Sequence, residues 1–286
     1  MNSLRGIFFI TLAMAFFALE DAVIKLMTGE MSQWQVLAMI GFGASIAFWL
    51  LTLLQRRRLF DRSYYTPAFI LRSIMEGFAA VSFVTALSKL DLSLTAAIFQ
   101  ATPLATTFAA ALFLNEKVGW RRWSAISFGF VGVLIIIRPG FAGFEPAAIW
   151  PLIAVAATAS RDLLTRLVPQ NTPTAAIGFH SFLTLFAIGT VGMLFSEVAP
   201  IEGSTTYLWP IAVLCATFGY VALITGFRSG EVSIIMPFRY TRLIFSILLG
   251  MLLFSERPDS LTLLGSALIV SSGLYTFLRE RRLANA

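Results

Sequence analysis

This chain is short of the residues that equip enzymes and soluble domains. Its 286 residues include one cysteine, Cys215, and one histidine, His180. A single cysteine excludes an internal disulfide, and one of each cannot form the usual Cys/His zinc cluster. No Gly-rich phosphate loop, Gly-x-Ser-x-Gly elbow or His-Glu-x-x-His helix is present. These absences, and very short loops, argue against a membrane enzyme and lead us to expect no metal and no cofactor. Charge is scarce as well: 13% of residues are Asp, Glu, Lys or Arg, against roughly 25% in soluble domains.

Apolar residues fill the space this leaves. They make up 58% of the chain, and the mean hydropathy is +0.82. No soluble domain of this length buries so much apolar surface, so the solvent is lipid. A helix needs about 20 mostly apolar residues to cross the hydrocarbon core. Ten stretches qualify, at roughly 5–27, 33–54, 66–87, 92–113, 121–138, 146–167, 174–196, 206–228, 231–253 and 259–279. Breakers mark their edges: Arg56-Arg57-Arg58, Arg138-Pro139-Gly140, Pro169 with Pro173, and Glu256-Arg257-Pro258-Asp259. Arg5 and Ala13-Met14-Ala15 imitate a signal peptide, but the apolar run continues past them and has a counterpart in mid-chain.

Lys and Arg set the orientation. With the N-terminus inside, thirteen cations fall on the cytoplasmic side and four (Lys25, Lys89, Arg138, Arg257) on the outer side. Both termini are therefore expected in the cytoplasm. The net charge of +6 belongs to these short loops and does not suggest a nucleic-acid partner.

The two halves repeat. Ala13, Ala15, Asp21, Lys25 and Leu26 answer Ala154, Ala156, Asp162, Arg166 and Leu167, 141 positions on. Asp91, Ser93, Leu112 and Glu116 answer Glu231, Ser233, Leu252 and Glu256 at an offset of 140. Five spans per half is an odd number, so the second half runs through the membrane inverted. This divides the chain into 1–140 and 141–286, the plan of transporters whose substrate site lies where the repeats meet.

A charge inside a span is costly and marks a candidate site. Arg72 and Glu76 are four apart on the third span, and Arg239 and Arg242 three apart on the ninth, so each pair shares a helix face. Arg239 and Arg242 need anions from elsewhere: Glu76, Asp162 or a substrate carboxylate, which the planar Arg fork binds well. Arg72 is placed shallow enough to snorkel. Asp21 with Lys25, and Asp162 with Arg166, are expected as i,i+4 pairs that lock helices or gate the two faces. Arg161 is the mid-chain counterpart of Glu20, and this asymmetry makes Glu20 a candidate for a substrate amine or a proton. Gln100, Tyr220 and Tyr240 are candidate cavity contacts. His180 reads as a packing residue or a proton-coupling group. Pairs such as Gly41 with Gly43 and Gly189 with Gly192 read as close helix packing.

The stretch Pro237-Phe238-Arg239-Tyr240-Thr241-Arg242-Leu243, with Leu249-Gly250, Phe254-Ser255-Glu256-Arg257-Pro258-Asp259 and Leu264-Gly265, resembles the second EamA repeat of the drug/metabolite transporter superfamily. Ala101-Thr102-Pro103-Leu104 and Leu114-Asn115-Glu116-Lys117 resemble the same signature in the first repeat. The resemblance implies an all-α membrane protein: ten helices in two inverted five-helix units around a central cavity, in a bacterial inner membrane. It is greatest to YddG-type exporters of neutral and aromatic amino acids. The expected function is export of small zwitterionic metabolites by alternating access, from a monomer or weak homodimer in the bilayer. The alternative is a transporter of a larger planar metabolite such as riboflavin, S-adenosylmethionine or a nucleotide-like compound.

Overall fold

The computed structural model describes residues 3–113, 119–139, 145–169, 171–229 and 236–284. Leu114-Asn115-Glu116-Lys117, Glu231 and Ser233 lie outside the described residues.

The described residues are helical, without strands. The first half holds α1 (Ser3–Thr28), α2 (Gln33–Leu54), α3 (Pro67–Lys89), α4 (Leu92–Phe99), α5 (Thr102–Phe113) and α6 (Trp120–Ile137). The second half holds a short 3₁₀ turn (Pro146–Ala148), α7 (Ile149–Thr165), α8 (Thr174–Met193), α9 (Thr205–Ser229), a second 3₁₀ turn (Met236–Tyr240), α10 (Thr241–Phe254) and α11 (Ser260–Ala284). Eight helices or joined helices, counting Leu92–Phe113 as one, are long and apolar enough to cross a membrane. Trp123–Ile137 and Ser260–Thr276 are shorter apolar helices. Together they are the ten spans expected from the sequence.

Local chemistry explains several boundaries. Ser32 caps α2 through the Gln35 N–H, and Thr66 caps α3 through the Phe69 N–H with Pro67 in the first turn, where a missing N–H costs nothing. The fourth span is not continuous. It breaks at Gln100 and Ala101, between α4 and α5, and Pro103 sits in the first turn after the break. The ninth span starts as the 3₁₀ turn that contains Pro237.

The packing order shows the repeat directly. α1 packs on α9, and α3 on α7; α1 packs on α10, and α5 on α7. α2 packs on α8, α4 on α10, and α6 on α11. Exchange of the two halves turns the first contact of each of the first two pairs into the second, and leaves α2–α8, α6–α11 and the contact of the fourth span with the ninth unchanged. That is the signature of a pseudo-twofold axis relating two five-span units.

The α2–α8 contact depends on two glycines. A Cβ on Gly41 would lie 2.8 Å from the Phe182 carbonyl oxygen and from Phe186 Cα. One on Gly189 would lie 2.7 Å from the Trp34 carbonyl oxygen and 2.8 Å from Ala38 Cα. The obstacles are backbone atoms, which no rotamer change can move. Gly189→Ala is expected to destabilise by ~1–3 kcal/mol, the usual range for overpacking, read as a lower midpoint of thermal unfolding in detergent.

The last helix is pinned at its start. Asp259 accepts from the Thr262 N–H (2.8 Å) and pairs with Arg138 at the end of α6. The Arg138 and Thr262 donors hold its carboxyl down at about 2. A depressed carboxylate stabilises the fold above its ordinary value and loses that contribution as pH falls toward the folded value. The Asp259 side chain is 49% exposed, so the pair is worth at most about 1 kcal/mol. Asp259→Asn should therefore lower stability slightly at pH 7, and the gap to the parent protein should narrow on acidification toward pH 3 in thermal unfolding runs.

Candidate functional site

Two groups of charged residues occupy the middle of the bundle, and each joins the two halves. In the first, Arg72 and Glu76 of α3 meet Arg161 and Asp162 of α7. Arg72 Nη2 donates to Glu76 Oε2 (3.1 Å), and Arg161 Nη1 donates to Glu76 Oε1 (2.8 Å). Arg161 also holds Asp162 Oδ1 through Nε (3.0 Å) and Nη2 (2.7 Å). The order is cation, anion, cation, anion, so the row is neutral as a whole.

The expected Arg72–Glu76 pair is thus present, but Arg72 does not snorkel. It is buried, and its remaining donors reach Thr165 Oγ1 (3.0 Å) and Ser181 Oγ (2.9 Å). Asp162 has a partner that its i,i+4 spacing to Arg166 does not predict. Asp162 is held by its neighbour Arg161, whose long side chain folds back along the helix, and Arg166 lies exposed at the end of α7.

The second group lies between α1 and α10. Asp21, 4% exposed at its side chain, takes Arg242 in a bidentate grip: Nη2 lies 2.8 and 2.7 Å from the two carboxylate oxygens, and Nε 3.1 Å from Oδ2. This displaces the expected Asp21–Lys25 pair. A planar fork meets a carboxylate with two parallel bonds, which a lysine ammonium cannot offer. Lys25 instead reaches past the end of α3, donating to the Leu87 (3.4 Å) and Leu90 carbonyls, 3.9 Å from Glu256. Three rings surround the Arg242 guanidinium: Phe17, Phe83 and Phe99, with centroids 5.6, 5.5 and 5.4 Å from its central carbon. Phe83 and Phe99 are 4.7 Å apart.

Two mid-span charges have no hydrogen bond or ion pair among the described residues: Glu20 on α1 and Arg239 in the 3₁₀ turn before α10. Asp162, Arg161 and Arg242 are the charges that act on Arg239, and Asp21 and Arg242 those that act on Glu20. Arg239 therefore borders both groups, and Glu20 the second. In the sequence repeat Glu20 matches Arg161. The α3–α7 side carries a complete ion network, whereas Glu20, on the α1–α9 side, neighbours Cys215.

The remaining candidates divide. Gln100 Nε2 donates to the Tyr240 carbonyl (3.3 Å), so the two broken spans meet at their breaks. Those positions are 140 residues apart and answer each other in the repeat. The Tyr240 side chain is directed elsewhere: its hydroxyl lies against Gly273 of α11, buried and without a hydrogen-bond partner. Tyr220 stands edge-on to Phe48 (5.0 Å, 89°), within electrostatic range of Arg72, Glu76 and Arg161. His180 is bonded at both nitrogens. Its Nδ1 lies 2.8 Å from the Ala176 carbonyl, which only accepts, so Nδ1 carries the proton and Nε2 accepts from the Tyr65 hydroxyl at 2.9 Å. It ties the α2–α3 loop to the start of α8, inside a ring of Phe60, Tyr65, Phe69 and Phe179. A separate cavity of about 440 Å³ between α2 and α8 is lined by apolar residues alone, including Trp34, Ile188 and Phe195, and holds none of these charges.

The residues that single-helix reasoning overlooked are Phe17, Phe83 and Phe99. Among 27 phenylalanines they carry no distinguishing signal, because only the fold brings them around one cation.

A buried charge stripped of its partner costs ~3–5 kcal/mol, while removing both partners costs far less. Asp21→Asn should therefore lower the unfolding midpoint sharply, and adding Arg242→Gln should recover most of the loss. A double-mutant cycle in detergent measures this.

The comparisons agree with this architecture. The pattern of the EamA-like transporter family matches residues 4–138 and 145–278. A riboflavin transporter of Rhizobium johnstonii is 26% identical over 260 residues, covering 88% of this chain and 86% of its own. An S-adenosylmethionine uptake transporter of Rickettsia bellii is 24% identical over 216 residues, covering 74% and 73%. The pseudopaline exporter CntI of Pseudomonas aeruginosa is 23% identical over 271 residues, covering 93% of each. A solved crystal structure shares the fold with a TM-score of 0.64 at 18% identity, over 98% of both chains. The inverted five-span units, the charge groups shared between them and the match over both halves lead to one conclusion: this chain is a multi-pass membrane transporter, not an enzyme, and belongs to the EamA-like transporter family.

Proposed function

We propose that the protein transports a planar heteroaromatic metabolite of the flavin or adenosyl type, by alternating access of its two five-span units. The observation that carries this reading is the Arg242 environment. Asp21 already neutralises that cation, and Phe17, Phe83 and Phe99 stand around it. A free arginine calls for a substrate carboxylate. A neutralised one walled by rings favours flat π surface, which stacks on aromatic faces and on guanidinium planes. Glu20 and Arg239 supply one acceptor and one donor of opposite charge for the polar ends of such a substrate. The names of the riboflavin and S-adenosylmethionine relatives support the same reading, since both compounds carry a fused heteroaromatic ring.

Amino-acid export is the competing reading. It draws on the same free pair, with Arg239 for an α-carboxylate and Glu20 for an amine. Under either reading both termini lie in the cytoplasm, on the strength of the Lys and Arg asymmetry.

The purified protein should gain thermal stability with riboflavin or S-adenosylmethionine and not with tryptophan, phenylalanine or alanine. Counterflow in proteoliposomes should follow the same order. Phe99→Ala should weaken binding about tenfold or more, for stacking worth ~1–3 kcal/mol per ring. Stabilisation and counterflow by the amino acids alone would overturn the heteroaromatic reading in favour of amino-acid export.

A further inference from the structure

Glu256 is the most heavily engaged carboxylate among the described residues, and neither charge group uses it. It follows α10, which ends in a left-handed residue, Ser255 (φ 55°), with the Glu256 N–H returned to the Gly250 carbonyl at 3.1 Å. This turn folds the side chain back over α10 and across to the first half of the chain. There Oε1 accepts from the Leu92 N–H (2.6 Å), and Oε2 from the Ser93 N–H (2.9 Å) and hydroxyl (2.6 Å). The carboxylate is the N-terminal cap of α4. Asp91 occupies the cap position in the sequence but makes no side-chain cap bond. Lys25 lies on the other side at 3.9 Å. The Glu256 side chain is 3% exposed.

Gly250 gives this carboxylate its seat. A Cβ there would lie 3.1 Å from Glu256 Cδ and closer still to Oε2. The repeat has a counterpart for each part of the device except that glycine. Ser93 answers Ser233, Lys25 answers Arg166 and Glu256 answers Glu116, but Gly250 answers Ala110. Ala110 is buried.

We infer that Glu256 is a gating residue, the latch that holds the bundle shut at the face opposite the chain termini. It joins α4, which ends at the break in the fourth span, to the end of α10. Rocking of one unit against the other must part these two helices, and so must break three hydrogen bonds to a charged acceptor. The closed Glu256 face is the resting arrangement, because both carboxylate oxygens are engaged there. This rests on the family assignment and the repeat, not on the identity of the substrate.

The test is a distance measurement. Spin labels at Lys89→Cys and Arg257→Cys, both exposed positions beside the latch, are placed in a Cys215→Ser background. The parent should give one short distance. Glu256→Gln should add a longer one, with the open-to-closed ratio rising about tenfold, the factor expected for one lost charge-assisted hydrogen bond. Gly250→Ala keeps the carboxylate but fills its seat, and should shift the distribution the same way. It also serves if Glu256→Gln fails to fold. A thermal-unfolding midpoint near that of the parent separates this shift from damage to the fold. An unchanged distribution in folded Glu256→Gln or Gly250→Ala overturns the assignment.

Discussion

The structure depends on one constraint: a charge placed in hydrocarbon must find its counter-charge inside the protein. The Asp21–Arg242 pair shows its effect. The two residues are 221 positions apart, one in each half, and neither can stay buried alone. The four-residue row from Arg72 to Asp162 imposes the same condition between α3 and α7. Each ionic group therefore clamps the two units together in the layer where substrate must pass. The apolar side chains around them supply bulk but little direction, since lipid tails compete for the same contacts.

The same constraint accounts for the asymmetry of the site. A duplicated chain would carry the same charges twice, yet Glu20 answers Arg161 and Thr102 answers Arg242. On one side the acids and bases complete a network. On the other, Asp21 recruits Arg242 from the tenth helix, and Glu20 is left without a cation among the described residues. The substrate proposed above has no twofold symmetry, and the surface proposed for it lies where the repeat has diverged. Glu20 and Arg239 are the sharpest instance of that divergence.

The lipid-facing architecture was legible in the residues. Run length and breakers gave the ten spans, the acid matches between halves gave the repeat, and the odd number of spans per half gave the inversion. Arg72 and Glu76 were legible as a pair because i,i+4 geometry is intrinsic to a helix. The partners of Asp21, Lys25 and Asp162 were not. For Asp21 the nearest cation in sequence, Lys25, lost to a distant guanidinium with better geometry. For Asp162 the flexible Arg161 overrode the rule that adjacent helical residues face apart. The break at Gln100 was only partly legible: Pro103 stands in the first turn of α5, but Pro210 lies inside the continuous α9, so a proline alone does not place a break. Tyr240 is a cavity candidate by residue type, but the 3₁₀ turn sends its ring to Gly273. The role of Gly250 was hidden, because a glycine that packs against a helix and one that seats a carboxylate look alike in sequence.

The contact between Gln100 and the Tyr240 carbonyl has a consequence of its own. These positions answer each other in the two halves, so the breaks of the fourth and ninth spans meet where the two units touch like against like. The bond itself is one-sided: Gln100 gives a side-chain donor and Tyr240 a backbone carbonyl. Exchange of the halves does not reproduce it, because the tyrosine ring is turned away to Gly273. The junction of the two units is therefore polarised from one half to the other at the point where the repeat brings them closest.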